Sequence, residues 1–289
     1  MFAVLWVCIF CDKLFIFKKV FAANTALPIN KPPEFYIMSN NTYLQIGRMF
    51  FAISLFAIGI VHLVTGNFPT GLLPVTSVYT GKIILVYANS IALIIAGILV
   101  ASKKYAYQGA ILAAIIWLIW LVIFHLPQLA MTYNSPFEWT PTFEVAMLFG
   151  GALILMGLTA QPQNNRYKLT LIGSYIVGVS ILVFAVLHLI YLQFITTLLL
   201  PWMPFKLFWA YVVMIAFFAA AISILTRIWL RLSSALLGLM FFIWFCILHI
   251  PLVIAHYRVE PQWTSIAVVL GASGVAFLIT ASTFNRLKY

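Results

Sequence analysis

Eight long apolar runs constrain the fold of this chain more than any other feature of its sequence. Each run comes close to the ~20 residues that a helix needs to cross the ~30 Å hydrocarbon core of a bilayer. Hydrocarbon offers no partner to backbone N–H and C=O groups, and a helix pairs those groups within its own segment. The sequence therefore predicts an all-α, polytopic membrane protein with eight transmembrane helices, at about 46–66, 81–102, 107–127, 142–160, 170–191, 205–226, 232–254 and 264–282.

The composition agrees with this prediction and excludes several other classes of protein. Of the 289 residues, 65% are hydrophobic and only 7% are charged, whereas soluble domains are ~45–50% apolar and ~25% charged. Five acidic and sixteen basic side chains could not cover the surface of a soluble protein of this length. A soluble enzyme, a nucleic-acid-binding protein and a disordered chain are therefore excluded, and the lipid bilayer is the predicted partner.

The positions of the basic residues predict the orientation in the membrane. Most of them lie at the ends of the predicted spans that share a side of the membrane with the N-terminus: Arg48, Lys103, Lys104, Arg166, Lys168, Arg227, Arg231, Arg286 and Lys288. The opposite side holds only Lys82, Lys206 and Arg258. Because cytoplasmic loops carry an excess of Lys and Arg, we expect both termini in the cytoplasm, in a multi-pass protein of the cell inner (plasma) membrane.

The first 37 residues differ from the rest of the chain. Their apolar run is too short to span a bilayer, charges interrupt it, and three prolines follow. We therefore expect residues 1–37 to be a dispensable N-terminal extension. Cys8 and Cys11 form a C-x-x-C within it, which is either a redox pair or two small apolar residues in a tail. Cys246 stands alone in an apolar run.

An internal repeat divides the eight runs into two sets of four. The segment IWLIWLVIFHLPQLAMTYNSPFEWT around the third run returns as LMFFIWFCILHIPLVIAHYRVEPQWT around the seventh, with paired residues 124 positions apart. Earlier pairs, such as Ser54 with Ser180 and His62 with His188, are 126 positions apart. The chain therefore reads as two parallel four-helix repeats, related by a pseudo-twofold axis along the membrane normal.

Four histidines recur in both copies within or at the end of a span: His62, His125, His188 and His249. From Lys104 to His125 there are 21 residues, or ~31 Å of helix, so these histidines belong to the outer third of the bilayer. An ionisable residue inside a membrane is a functional candidate because it is costly there.

Three interpretations of these histidines remain open. Each imidazole could donate to a backbone carbonyl freed by a nearby proline, Pro127 or Pro251, and so join helices. The imidazoles could instead line a ligand-binding pocket for a quinone, a lipid or another apolar molecule. They could also ligate haem b, since neutral imidazole is a common ligand; the spacing itself predicts no metal site.

Several segments of both copies resemble the DoxX-like membrane protein family. They are ISLFAIGIVHLVTGNFPTGLLP, YANSIALIIAGILV, IFHLPQL and EWT in the first copy, and LHLIYLQFITTLLLPWMPF, FWAYVVMIAFFAAAISIL, ILHIPLVIAH and QWTS in the second. The resemblance covers residues 44–160 and 168–285, one four-helix family unit each.

This resemblance implies a function connected with quinones. The family is named after a subunit of a thiosulfate:quinone oxidoreductase, so the chain is expected to be a quinone-linked redox subunit or an apolar-ligand-binding membrane protein, beside redox partner subunits. The ligand-binding residues would then be His62, His125, His188 and His249. The alternatives are a non-enzymatic membrane scaffold or partner subunit, and a b-type haem protein with histidine ligands.

Overall fold

The computed structural model describes residues 39–73, 81–160 and 166–283, except the side chains of residues 40, 137 and 166. Within these ranges it contains no strand, and it has eight helices that are long and apolar enough to cross a membrane. The prediction of an all-α, polytopic membrane protein is therefore confirmed. The expected extension 1–37, with Cys8 and Cys11, lies outside the described residues.

The spanning helices of the described chain are numbered here in chain order. They are α1 (Asn40–Thr65), α2 (Lys82–Ala101), α3 (Ala106–Met131), α4 (Trp139–Thr159), α5 (Arg166–Ile190), α6 (Lys206–Thr226), α7 (Leu230–Ala255) and α8 (Glu260–Ser282). A short helix, Leu192–Leu198, follows α5, and a single 3₁₀ turn, Pro136–Glu138, precedes α4.

Helices α1, α4, α5 and α8 begin earlier than the apolar runs predicted. Helix α1 starts at Asn40 and not near residue 46, because Ser39 caps it: the Ser39 Oγ accepts a hydrogen bond of 3.2 Å from the N–H of Thr42. A serine at this position satisfies a backbone N–H that the first helical turn leaves free. Hydropathy detects only the apolar part of a helix, so these polar first turns were missed.

Helices α3 and α7 both continue past a proline; the sequence predicted that α3 would end at its proline, residue 127, whereas α7 ends at Ala255, close to its predicted end at residue 254. A π-helical turn, Leu121–His125 in α3 and Phe245–His249 in α7, stands just before Pro127 and Pro251. In each, the residue after the turn donates its N–H to a carbonyl five positions back. A proline ring clashes with the carbonyl four residues earlier, and the wider turn accommodates it. The π-turns, and with them His125 and His249, therefore lie inside their helices, and α3 runs on to Met131.

The elements of the two copies keep the spacing found in the sequence. Lys206 begins α6 124 residues after Lys82 begins α2, and the two π-turns are also 124 residues apart. Arg166 begins α5 126 residues after Asn40 begins α1. The spanning helices of the two copies therefore correspond, although α8 begins three residues before the equivalent of Trp139 and the short helix Leu192–Leu198 has no helical counterpart at residues 66–72.

The two copies meet at two equivalent helix pairs, α1 with α8 and α5 with α4. A Cβ added at Gly47 would lie 2.8 Å from the carbonyl oxygen of Gly274, and a Cβ at Gly173 would lie 2.5 Å from that of Gly150. Glycines thus let the backbones of both pairs touch, as in close-packed membrane helices. Helices α4 and α8 also contact each other, so the last helix of each copy lies between the copies.

The outer faces of the bundle are apolar. Helix α2, for example, exposes a row of large aliphatic side chains: Ile83, Ile84, Leu85, Ile91, Ile95 and Ile98. A soluble protein does not expose so much contiguous apolar surface. These faces are suited to contact with the lipid bilayer.

Candidate functional site

Toward one end of the bundle, the side chains of the first copy form two sets of contacts that share α3: one set joins α1, α2 and α3, and the other joins α3 and α4. The side chains in these contacts are His62 of α1, Asn89 of α2, Trp120 and His125 of α3, and Thr142 of α4, named here the first-copy cluster. This end is the one at which α1 and α3 finish and α2 and α4 begin. Two of the four predicted histidines therefore belong to one cluster.

A chain of hydrogen bonds links three helices within this cluster. The indole Nε1 of Trp120 donates to Oδ1 of Asn89 over 3.1 Å. The amide Nδ2 of Asn89 lies 3.0 Å from Nδ1 of His62. The imidazole of His62 also stacks on Trp120, with 5.6 Å between ring centroids and 19° between planes. His62, which has no exposed surface, is thus held both at its edge and on its face.

The hydrogen-bond chain determines which nitrogen of His62 carries the proton. An indole N–H can only donate, so the oxygen of the Asn89 amide must face Trp120 and its NH₂ group must face His62. That NH₂ group can only donate, so the Nδ1 of His62 must accept and has no hydrogen. The imidazole is then neutral with its proton on Nε2. Nε2 is buried and has no hydrogen-bond partner among the described residues.

His125 is the second buried imidazole of the cluster. Only 1% of its surface is exposed. Its Nδ1 lies 3.4 Å from the hydroxyl of Thr142, and its Nε2 has no partner among the described residues. Among the described residues, the contact of His125 is therefore with Thr142, and the first of the three interpretations, a hydrogen bond to a carbonyl freed by Pro127, has no counterpart there. The inserted π-turn changed the local backbone, and Thr142 of the neighbouring helix provides the contact.

Two tryptophans next to the cluster add further unpaired donors. Trp117, fully buried, packs edge-to-face on Trp120 with 4.9 Å between ring centroids. Trp139 begins α4, three residues before Thr142. The indole Nε1 atoms of both tryptophans are buried without a partner in the described chain. The indole N–H groups of both tryptophans therefore lack an acceptor in the described chain, as does Nε2 of His62.

The second copy retains the histidines without these partners. Val213 occupies the position equivalent to Asn89, and Ile266 the position equivalent to Thr142. The imidazole of His188 donates from Nδ1 to the carbonyl of Phe184, 2.9 Å away in its own helix, so its proton lies on Nδ1 and not on Nε2. Both His188 and His249 are only half-buried, and Nδ1 of His249 has no partner within the described ranges.

Sequence reasoning missed Asn89 and Thr142 for an identifiable reason. The search looked for polar residues that recur in both copies, and these two occur in the first copy alone. A comparison of the aligned copies for polar residues that face an apolar counterpart would have found both. The structure does not bring the four histidines together in one site: two lie in each copy, and those with a hydrogen-bond partner among the described residues have different ones.

The fold and this cluster define an all-α, multi-pass membrane protein whose first four helices enclose a small polar site. No three His, Cys, Asp or Glu side chains of the described residues are grouped so as to hold a metal ion. No protein-family model, curated protein or solved structure matches the chain. The resemblance to the DoxX-like family therefore stays a prediction.

Proposed function

We propose that this membrane protein binds a small apolar molecule at the first-copy cluster, and that the molecule is of the quinone class, as the DoxX-like resemblance implies. The observation that carries the proposal is the pair of fully buried imidazoles, His62 and His125, whose Nε2 atoms have no partner among the described residues. A buried polar group without a hydrogen bond costs ~1–3 kcal/mol. A ligand that pairs with these atoms removes part of that cost.

A quinone suits this setting chemically. Its ring carries carbonyl oxygens that accept hydrogen bonds, and its apolar tail dissolves in the bilayer. Bound at the cluster, the ring would meet imidazole and indole N–H groups inside the spanning helices. The DoxX-like resemblance implies that redox partner subunits would reduce or oxidise the quinone.

The proposal includes an orientation. With both termini in the cytoplasm and the chain in the cell inner (plasma) membrane, the first-copy cluster lies near the outer face. The one-sided distribution of Lys and Arg supports this. Reporter fusions after Lys104 and after Pro136 are expected to report the cytoplasm and the exterior, respectively. The reverse pattern would contradict the orientation.

The test of the function is a lipid extract of the purified protein. We expect mass spectrometry to find quinone with the wild-type protein, and much less of it with His62→Ala or His125→Ala. The matched controls are His188→Ala and His249→Ala in the second copy, which should retain the quinone. Size-exclusion profiles confirm that each variant is folded. A wild-type extract without quinone, or equal loss in all four variants, would contradict the proposal.

A scaffold function is the second candidate, and one observation favours it. The hydrogen bonds of Asn89 join α1, α2 and α3, which would stabilise the bundle without any ligand. In that case His62→Ala lowers the melting temperature and no bound molecule is lost. The third alternative, a b-type haem protein with histidine ligands, is tested by the visible absorption spectrum, in which haem gives a Soret band.

A further inference from the structure

We infer that the first-copy cluster binds its ligand through a carbonyl oxygen and not through a hydroxyl group, so that it prefers the oxidised form of a quinone to the reduced form. This inference rests on the proposed function and specifies its chemistry. It depends on the direction of the hydrogen bonds around His62, which run in one sense from Trp120 through Asn89.

The direction follows from groups whose hydrogen-bonding roles are fixed. The indole of Trp120 is a donor only, so it orients the amide of Asn89, and the amide in turn requires Nδ1 of His62 to accept. The remaining nitrogen of His62, Nε2, must carry a hydrogen. Because His62 is fully buried and Nε2 has no partner among the described residues, its N–H can be satisfied only by a hydrogen-bond acceptor.

Two tryptophans of the first copy provide further N–H donors. The buried indole N–H groups of Trp117 and Trp139 also lack partners within the described ranges, and an indole cannot accept. The hydroxyl of Thr142 can donate or accept, so it does not determine the tautomer of His125. The three donors whose roles are fixed, the N–H groups of His62, Trp117 and Trp139, can therefore each be satisfied only by an acceptor.

The two redox forms of a quinone differ in this respect. A quinone carbonyl accepts the N–H of His62 and brings no hydrogen of its own. A hydroquinone hydroxyl can accept the same N–H, but its own O–H then needs a second acceptor, which the indoles of Trp117 and Trp139 cannot provide, and a buried O–H without an acceptor is costly. The two forms share one carbon skeleton and differ by the two hydroxyl hydrogens of the hydroquinone, so the ratio of their affinities reports the cost of burying a hydroxyl group at this site.

Comparison with the second copy shows that the hydrogen-bond partner of Nδ1 determines the tautomer of the imidazole. His188, the equivalent of His62, donates from Nδ1 to the Phe184 carbonyl, so its Nε2 has no hydrogen. The same imidazole in the second copy therefore presents an acceptor. The atom that faces Nδ1, an amide nitrogen for His62 and a carbonyl oxygen for His188, therefore decides whether Nε2 is a donor or an acceptor.

The experiment compares the binding of one short-chain benzoquinone and its hydroquinone to the full chain in nanodiscs. Binding is measured by calorimetry without oxygen and with the hydroquinone kept reduced. We expect the wild-type protein to bind the quinone about tenfold more tightly or better, since each unsatisfied hydrogen bond changes affinity on that scale. Equal affinities would overturn the inference while leaving the proposed function intact. Binding of neither form would overturn the proposed function itself, and the inference with it.

Two variants test the cause of the preference. In Asn89→Asp, the carboxylate accepts from both Trp120 and Nδ1 of His62, which moves the proton to Nδ1, and the preference should reverse in favour of the hydroquinone. Trp120→Phe removes the donor that orients the amide, and the preference should fall towards equality even if the aspartate variant does not fold. His188→Phe in the second copy is the control and should leave the ratio unchanged. A ratio that is the same in Trp120→Phe as in the wild type would overturn the inference.

The tautomer can also be observed directly. In protein labelled with ¹⁵N-histidine, the signals that disappear in His62→Phe belong to His62. They should show a protonated Nε2 and an unprotonated Nδ1. Protonation at Nδ1 would overturn the inference regardless of any binding result.

Discussion

Replacing Asn89 by valine should destabilise the first copy, because the amide joins three helices. Valine is the residue that the second copy carries at the equivalent position, Val213. The substitution removes the bond from the Trp120 indole, at 3.1 Å, and the bond to His62, at 3.0 Å. It leaves both of these groups buried without a partner.

The size of the effect follows from these two bonds. Hydrogen bonds between membrane helices contribute ~0.6 kcal/mol on average and at most ~1.7. Two such bonds give about 1–3 kcal/mol for Asn89→Val. The stacking of His62 on Trp120, at 5.6 Å between centroids, does not involve the amide, so we expect the loss to stay within this range and the bundle to remain folded.

A double-mutant cycle isolates the contribution of one bond. The free energy of unfolding is measured in mixed micelles, by titration with a denaturing detergent, for Asn89→Val, Trp120→Phe and the pair. Because the two side chains share one hydrogen bond, the coupling energy should be about 0.6–1.7 kcal/mol. The reciprocal change Val213→Asn is the control, and it should also destabilise, since it buries an amide at an apolar core position. A coupling energy near zero would refute the hydrogen-bond chain described here.

Three further predictions test contacts between helices and between a helix and a loop. Gly47→Ala should cost about 1–3 kcal/mol of stability, because its Cβ would lie 2.8 Å from the carbonyl oxygen of Gly274, whereas Gly71→Ala, whose nearest contact is 3.4 Å, should cost less; detergent unfolding compares the two. Arg48→Met should cost about 1.5–3 kcal/mol in the same assay, because the buried guanidinium donates to the last two carbonyls of α2. Glu260→Gln should speed hydrogen exchange in the loop after α1, since the carboxylate accepts from the N–H and hydroxyl of Thr70 at 3.1 and 2.7 Å; unchanged exchange would contradict this.

The eight spans could be predicted because they depend on one strong signal. A run of ~20 apolar residues has few alternatives to a membrane helix. The ends of the helices could not be predicted as well, because a polar first turn such as that after Ser39 has no hydropathy signal. In α1 the Ser39 cap, and not hydropathy, marks where the helix begins.

The rule that a proline ends a helix does not predict the π-turns. A proline two residues after a histidine favours the end of a helix, so α3 was expected to end near residue 127. The bilayer changes the balance, because an ended helix would leave backbone groups unpaired in hydrocarbon. A π-turn costs less than an interruption, and π-turns are often found at functional sites. Both copies contain one immediately before the proline.

The histidines themselves were predicted from their recurrence, but recurrence could not reveal which of them form a site. His62 and His188 occupy equivalent positions, yet one accepts at Nδ1 and the other donates from it. The difference comes from Asn89, which has no polar equivalent and therefore no signal in a search for repeats. The cluster is marked by positions at which the two copies differ, such as Asn89 and its equivalent Val213.

The divergence of the copies also explains why a duplicated chain would have one such site. The close helix pairs at Gly47 with Gly274 and at Gly173 with Gly150 are equivalent in both copies, and packing of this kind requires the same small residues twice. The direction of the hydrogen bonds in the cluster has no such requirement, because the cluster lies within α1–α4 and not at the contacts between the two copies. The second copy can therefore replace Asn89 by Val213 and still complete the bundle. The helix packing depends on what the copies share, and the chemistry of the cluster depends on the polar partners that only the first copy has.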